Sequence, residues 1–167
     1  MPNRIALLGA TGQLGHDIAR VAKTRSLDLV PLSHEEIEAT DLESVRQAFA
    51  KIRPEVVVNC AAFHQVDRCE EDPAQAFQVN ALGALNVARS ANEFGAKCVY
   101  VSTDYVFPGD KPPPKEGATS SVNSYVEADR PAPVNVYGVS KLAGEQLTLM
   151  AQPKALIVRV SSLFGVA

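Results

Sequence analysis

Tyr137 and Lys141 stand four residues apart, a spacing that on an α-helix places a phenol and an ammonium on one face, about a turn from each other. A phenol is a weak acid near neutral pH, with a reference pKa of about 10, and a fixed cation beside it favours the phenolate. Such a pair suits proton donation to a carbonyl oxygen undergoing reduction. An isolated Tyr-x-x-x-Lys is more often an aromatic at a helix start followed by a solvated lysine, so the weight falls on what lies upstream. There, Gly9-Ala10-Thr11-Gly12-Gln13-Leu14-Gly15 follows the apolar run Ile5 to Leu8 and opens the helix-like stretch Gln13 to Lys23. Glycines at intervals of three let the backbone turn tightly, approach a pyrophosphate and seat a helix whose N-terminus faces the negative charge. Gly9, Thr11, Gly12, Gln13 and Leu14 are candidate dinucleotide contacts on that ground, although turn geometry alone also uses glycine.

Further candidates follow the remaining strands. Leu27 to Leu32 reads as a strand, and the residue just after it is where a carboxylate would receive the adenosine ribose of NAD. Ser33 and His34 stand there instead, with no acid before Glu35, which leans the choice toward NADPH while leaving dual use open. Asp41 suits a cap on a helix from Leu42 to Lys51; Asp41 and Leu42 could flank an adenine, and capping alone explains the Asp equally well. Glu55 to Cys60 is a continuous β-branched run, as in a strand covered on both faces, and Cys60-Ala61-Ala62 leaves room for a cofactor at its end. His64 to Glu71 reads as a polar loop, and Asp72-Pro73 as the start of a helix running to Phe94 with Asn80 inside it. After the strand Cys98 to Val101, the Ser102-Thr103 hydroxyls could bond a substrate carbonyl, or form a strand-end turn. The stretch 108–133, rich in Pro, Lys, Gly, Ser and Glu, reads as a long loop near the substrate side, and Ala155 to Val160 as a last strand.

Strands alternate with helices along the chain, which demands a mostly parallel sheet with right-handed crossovers. The expected fold is α/β, a Rossmann-like doubly wound parallel sheet with helices on both faces, residues 1–167 forming one dinucleotide-binding domain. At 167 residues and 46% hydrophobic the chain can bury one sizeable core. A net charge of -3 without basic blocks offers no footprint for nucleic acid or an anionic membrane, and favours a small-molecule partner. Cys60, Cys69 and Cys98 lack metal-ligand or disulfide-framework spacing, no metal motif is evident, and the N-terminal apolar run is too short for a leader or a membrane span. A cytoplasmic protein is expected.

These residues resemble the extended short-chain dehydrogenase/reductase family, in its branch of dTDP-4-dehydrorhamnose reductases. The resemblance spans nearly the whole chain. It is carried by Gly9 to Gly15, Val58 to Phe63 with Val66, Asp67 and Glu70, Val79-Asn80-Ala81, Ser102 to Phe107, Tyr137 to Lys141 with Gly144-Glu145, and Arg159 to Gly165. It implies NADPH- or NADH-dependent reduction of the C4 ketone of a dTDP-4-keto-6-deoxy sugar. By position, Thr103 is similar to the hydroxyl that polarises the carbonyl, Tyr137 to the acid, and Lys141 to the group that lowers the Tyr pKa and binds the nicotinamide ribose. Asn80 falls in a cofactor-side motif, and Val66, Asp104, Tyr105 and Val106 on the sugar-nucleotide side. The resemblance also implies magnesium at a subunit contact in some members, a possible homodimer, and a C-terminal substrate lobe largely absent from these residues. His64 and the length of the 108–133 loop depart from the family pattern. Tyr105 stands where a dehydratase would carry a second carboxylate, which favours simple reduction. The competing readings are a sugar-nucleotide epimerase, a non-catalytic nucleotide-binding subunit like the regulatory partner of methionine adenosyltransferase, and a ligand-free interaction domain.

Overall fold

The short apolar runs become strands β1 (Ile5–Leu8), β2 (Leu29–Leu32), β3 (Val56–Asn59), β4 (Lys97–Thr103) and β5 (Leu156–Val160). They pair in parallel in the order β2-β1-β3-β4-β5, in a computed structural model that describes residues 4–111 and 124–165. Pro31 is tolerated in β2 because that strand is an edge of the sheet and the residue is exposed. The chain leaves β1 toward β2 and later returns to the other side of β1 as β3. Order reverses there, so the carboxyl ends of β1 and β3 flank the crevice where sheets of this kind bind ligands.

Helices α1 (Gln13–Thr24), α2 (Leu42–Ile52) and α6 (Val136–Ala151) fall where the sequence places them. Asp41 accepts hydrogen bonds from the Glu43 and Ser44 amides, and Asn135 from the Gly138 amide, each starting a helix by side-chain capping. Two elements differ from expectation. The supposed polar loop 64–71 contains a short helix, α3 (Val66–Glu71), because Cys69 is fully buried and its thiol donates to the Phe63 carbonyl, giving that turn an inward face. The helix expected from Pro73 to Phe94 exists as α4 (Pro73–Phe77) and α5 (Ala84–Glu93) joined through a π-helical segment, Gln78–Gly83. Of the long loop, residues 112–123 lie outside the described ones. Its flanks are tied together by Lys111, whose Nζ donates to the Ser124 carbonyl and to Asp129 Oδ2, each at 2.6 Å, and by stacking of Phe107 on Tyr125.

The core lies on one face of the sheet. Ala6, Leu8, Leu32, Val57 and Cys98 point from the strands into Val45 and Phe49 of α2 and Val87, Ala88 and Ala91 of α5, with Ala151 of α6 packed alongside. Among the described helices, α1 alone packs against the opposite face, over β1 and β2.

Candidate active site

The Gly9 to Gly15 turn is built by close backbone approach. Gly9 has a φ of 73°, and a Cβ there would lie 2.8 Å from the Ala61 amide nitrogen; a Cβ on Gly15 would strike the Gly9 carbonyl. Gly12 donates to the Gly9 carbonyl at 3.1 Å, and a Cβ there would meet that oxygen at 3.5 Å, an ordinary contact. The first turn of α1 has neither a side-chain cap nor an acidic residue, in contrast to α2, whose Asp41 cap and Glu43 supply both. Amides left uncapped at a helix start within a glycine turn fit an anionic pyrophosphate.

This turn forms one wall of a cleft of about 320 Å³. Of the residues singled out in the sequence, Gly9, Thr11, Gly12, Gln13, Leu14, Cys60, Ala61, Ala62, Tyr137 and Lys141 line it together, with His34, His64 and Ser102. Ser33 lines a small adjoining hollow with Gly9, Thr11, His34 and Ala61. Asp41 and Leu42 line neither and serve as cap and first residue of α2. At Ser33 the sequence reading missed a carboxylate: Glu36 turns back so that its Oε2 accepts from the Ser33 amide at 2.8 Å and from its hydroxyl at 3.0 Å. These bonds hold the Glu36 pKa below its ordinary value.

The reaction end is organised by burial. Tyr137 is half-buried near the start of α6 with Tyr105 edge-on to it, ring centroids 5.6 Å apart. Gly138 permits this approach, since a Cβ there would strike the Tyr105 carbonyl. The expected depression of the Tyr137 pKa by Lys141 is not found. Burial holds the phenol above its ordinary value, and the neighbouring Thr103 hydroxyl pulls the other way. Helical spacing fixes where the two side chains start, whereas the long lysine chain runs inward to the sheet: its Nζ donates to the Val101 carbonyl at 2.7 Å and sits 4.1 Å from the Tyr100 ring centroid. Burial pushes the Lys141 pKa down to about 7, opposed by the nearby Cys60 and Glu145, while burial raises the Cys60 thiol to about 11.

Three expected site residues occupy other positions. Asn80 is fully buried in the π-helical segment, its Oδ1 accepting from the Phe63 amide and its Nδ2 donating to the Phe63 carbonyl and to Ser140 Oγ, so its polar atoms are committed to the fold. Its own carbonyl accepts from the Tyr100 hydroxyl, which fixes the ring beneath Lys141. Val106 is fully buried rather than facing a sugar. Val66 begins α3 and is absent from the cleft lining, whereas Asp104 and Tyr105 are exposed beside Thr103. Thr103 accepts from the Tyr105 amide at 3.2 Å. Beneath the site, Ser102 Oγ donates to Glu145 at 2.5 Å and Arg159 binds the same carboxylate through two nitrogens at 2.9 and 2.7 Å. The carboxylate raises the Arg159 pKa. Glu145 and Arg159 stand in the sequence motifs, but only the register of β4 with β5, pairing Ser102 with Arg159, reveals their contact.

The model of the RmlD substrate binding domain matches residues 3–167. A dTDP-4-dehydrorhamnose reductase of Mycolicibacterium smegmatis is 37% identical, over 98% of this chain and 47% of its own length. The crystal structure of dTDP-4-dehydrorhamnose reductase from Bacillus anthracis in complex with NADP is 39% identical with a TM-score of 0.88, over 98% of this chain and 55% of that one. UDP-glucose 4-epimerase of Thermus thermophilus, in complex with NAD, gives 29% identity and a TM-score of 0.78 over 93% and 53% of the two chains. The chain spans about half the length of the curated relatives it matches.

Proposed function

The chain belongs to the RmlD substrate binding domain family, and from that premise we propose that it forms the dinucleotide-binding half of a reductase acting on the C4 ketone of a dTDP-4-keto-6-deoxy sugar. The observation that carries this reading is the convergence of the glycine turn, Tyr137 and Lys141 on one cleft at the carboxyl end of the sheet. The likeness to a reductase solved with NADP supports a nicotinamide dinucleotide as its ligand. Such a cofactor, when reduced, supplies hydride to a carbonyl carbon. The Gln13 to Gly15 amides and Gly12 receive the pyrophosphate, and Cys60, Ala61 and Ala62 leave space for the dinucleotide to cross the end of β3.

Tyr137 gives its phenolic proton to the ketone oxygen. A phenol held above its ordinary pKa keeps that proton until the oxygen becomes basic. Thr103 turns its hydroxyl from Asp104 to the same oxygen, and Tyr105 with Asp104 borders the sugar. Lys141, held on the Val101 carbonyl, supplies a cation to the floor of the same cleft as the proton leaves. Magnesium and a homodimer belong to this reading through the resemblance alone, with no described residue assigned to either.

Tyr137→Phe is expected to lower turnover by about 10²–10⁴-fold while leaving dinucleotide affinity unchanged. Turnover is read as ketosugar-dependent NADPH or NADH oxidation, by the chain and by a chimera carrying the C-terminal half of the M. smegmatis relative. Unchanged turnover removes Tyr137 from the acid role. The likeness to the T. thermophilus epimerase favours a second reading. Sugar interconversion without net oxidation of the dinucleotide would select it.

A further inference from the structure

The reductase reading asks Lys141 to be a cation, although the residue is 2% exposed and burial disfavours its charge. On α6, Tyr137, Lys141 and Glu145 follow one another at intervals of four, so they share one helix face. They also address one strand end. The Lys141 Nζ donates to the Val101 carbonyl at 2.7 Å, Glu145 accepts from the hydroxyl of the next residue, Ser102, at 2.5 Å, and Thr103 beyond it neighbours the Tyr137 phenol. Glu145 is 4% exposed, and a carboxylate at that depth needs a partner of opposite charge. Arg159 of β5 provides one, with two nitrogens at 2.9 and 2.7 Å from its oxygens. The guanidinium is fixed in turn by the Phe107 ring, whose centroid lies 5.0 Å away and which stacks on Tyr125.

The other groups around the lysine offer it little negative charge. Tyr100 of β4 lies beneath the Nζ with its hydroxyl donating to the Asn80 carbonyl, and burial holds that phenol, the Tyr137 phenol and the Cys60 thiol at the end of β3 in their neutral forms. Cys69 of α3 and Asp104 beyond β4 act on Tyr137. The π-helical segment packed on α6 contains no ionisable residue. On α3 and α5 the remaining ionisable side chains, Asp67, Arg68, Glu70, Glu71, Arg89 and Glu93, are exposed. His34 and His64 line the cleft without contributing an anion. Glu145 is the carboxylate that favours the charged form of Lys141.

We propose that Glu145, held by Arg159 and Ser102, is a positioning residue for the reduction: it continues the Tyr137 and Lys141 row by one more turn, fixes α6 on the end of β4 and keeps the Lys141 ammonium charged at neutral pH. It touches neither substrate nor dinucleotide and acts through the lysine. Arg159 serves the same end by pairing the carboxylate, so that its charge persists in the interior.

The test reads the proton on Lys141 directly, by NMR of the chain carrying isotope-labelled lysine, the signal being assigned by its absence from Lys141→Met. In the native chain the signal is expected to titrate with a midpoint of about 7. Glu145→Gln keeps the shape and removes the charge, and the midpoint should fall by about one pH unit while the exposed lysines stay where they are. The double variant Glu145→Gln/Arg159→Gln leaves no buried ion unpaired, should shift the midpoint in the same direction, and serves where the single variant unfolds by circular dichroism. In the chimera carrying the C-terminal half of the M. smegmatis relative, the alkaline fall of ketosugar-dependent NADPH or NADH oxidation should move down in pH with the midpoint, whereas a merely structural role would lower turnover alike at every pH. A Lys141 midpoint that stays in place in a folded variant overturns the proposal, as does a loss of turnover equal at every pH. No turnover by the native chimera, with the midpoint moving as expected, overturns the reductase reading and leaves the link from Glu145 to Lys141 standing.

Discussion

The two faces of the sheet are built from the same kind of residue and end in different states. On one side Ala6, Leu8, Val57 and Cys98 are sealed under α2, α5 and α6, and Phe49 of α2 is fully buried against the edge of Phe94. On the other, Val56 and Val58 of β3, Val99 and Val101 of β4 and Val158 and Val160 of β5 are only partly buried, and Leu156 is 58% exposed. Period-two alternation would pair an apolar face with a polar one; here both faces are apolar. Strand composition therefore reports what a sheet is suited to lie against, and the described helices satisfy that on one side and half of the other. The site follows the same division, because α6 brings Tyr137 and Lys141 from the sealed side while α1 brings its uncapped N-terminus from the open one.

The sharpest way to break this comparison is at Phe49. Phe49→Ala is expected to cost about 4 kcal/mol, since a large ring leaves a cavity that close-packed neighbours cannot fill. Urea denaturation measures it. A cost near 1 kcal/mol would mean the sealed face is no tighter than the open one.

Much of this division was legible beforehand, and the reasons for the rest are physical. The β-branched runs, the glycine turn and the Asp41 cap are local signals, and each produced its element at the expected place. The π-helical segment was not, because its stabilisation is remote: Asn80 is held by Phe63, Ser140 and Tyr100 from three other parts of the chain. The Glu36 bond to Ser33 is not legible in the strand-end residues because a turn brings in a carboxylate from three positions on. The direction of the Tyr137 shift is not legible from spacing, which reports proximity between side-chain origins, whereas burial and the inward path of Lys141 decide the charge balance.

That path gives the next prediction, of intermediate size. With its folded pKa near 7 and an ordinary value of 10.5, Lys141 binds a proton more weakly in the folded chain than in the unfolded one. Between these values the unfolded state holds more protons, so this residue makes stability rise with pH above about 7 and contributes no slope below it. Above pH 9 the raised thiols of Cys60 and Cys98 act in the opposite sense, which leaves pH 7 to 9 as the clean window. Lys141→Met should remove the lysine's slope across that window and stabilise the chain by about 2 kcal/mol at pH 7. Denaturation series at several pH values in both proteins would show it. A parallel slope in the two proteins would mean that Lys141 titrates normally and that its bond to Val101 offsets its burial.

The smallest effect belongs to the open face. Leu156 begins the edge strand β5 and points away from α6, opposite in sense to Ile157 and Arg159, because Ser102 and Tyr100 on the sealed side pair in register with those two. Its side chain is more than half exposed, so replacing it removes little buried area, and Leu156→Lys is expected to change stability by less than about 0.5 kcal/mol. An edge lysine also discourages strand-to-strand association, so the same substitution should lower any concentration-dependent self-association seen by sedimentation. A loss of 2 kcal/mol or more would show that this strand end is covered in solution, and the contrast between the faces would then lie in what the described residues include rather than in how the sheet is packed.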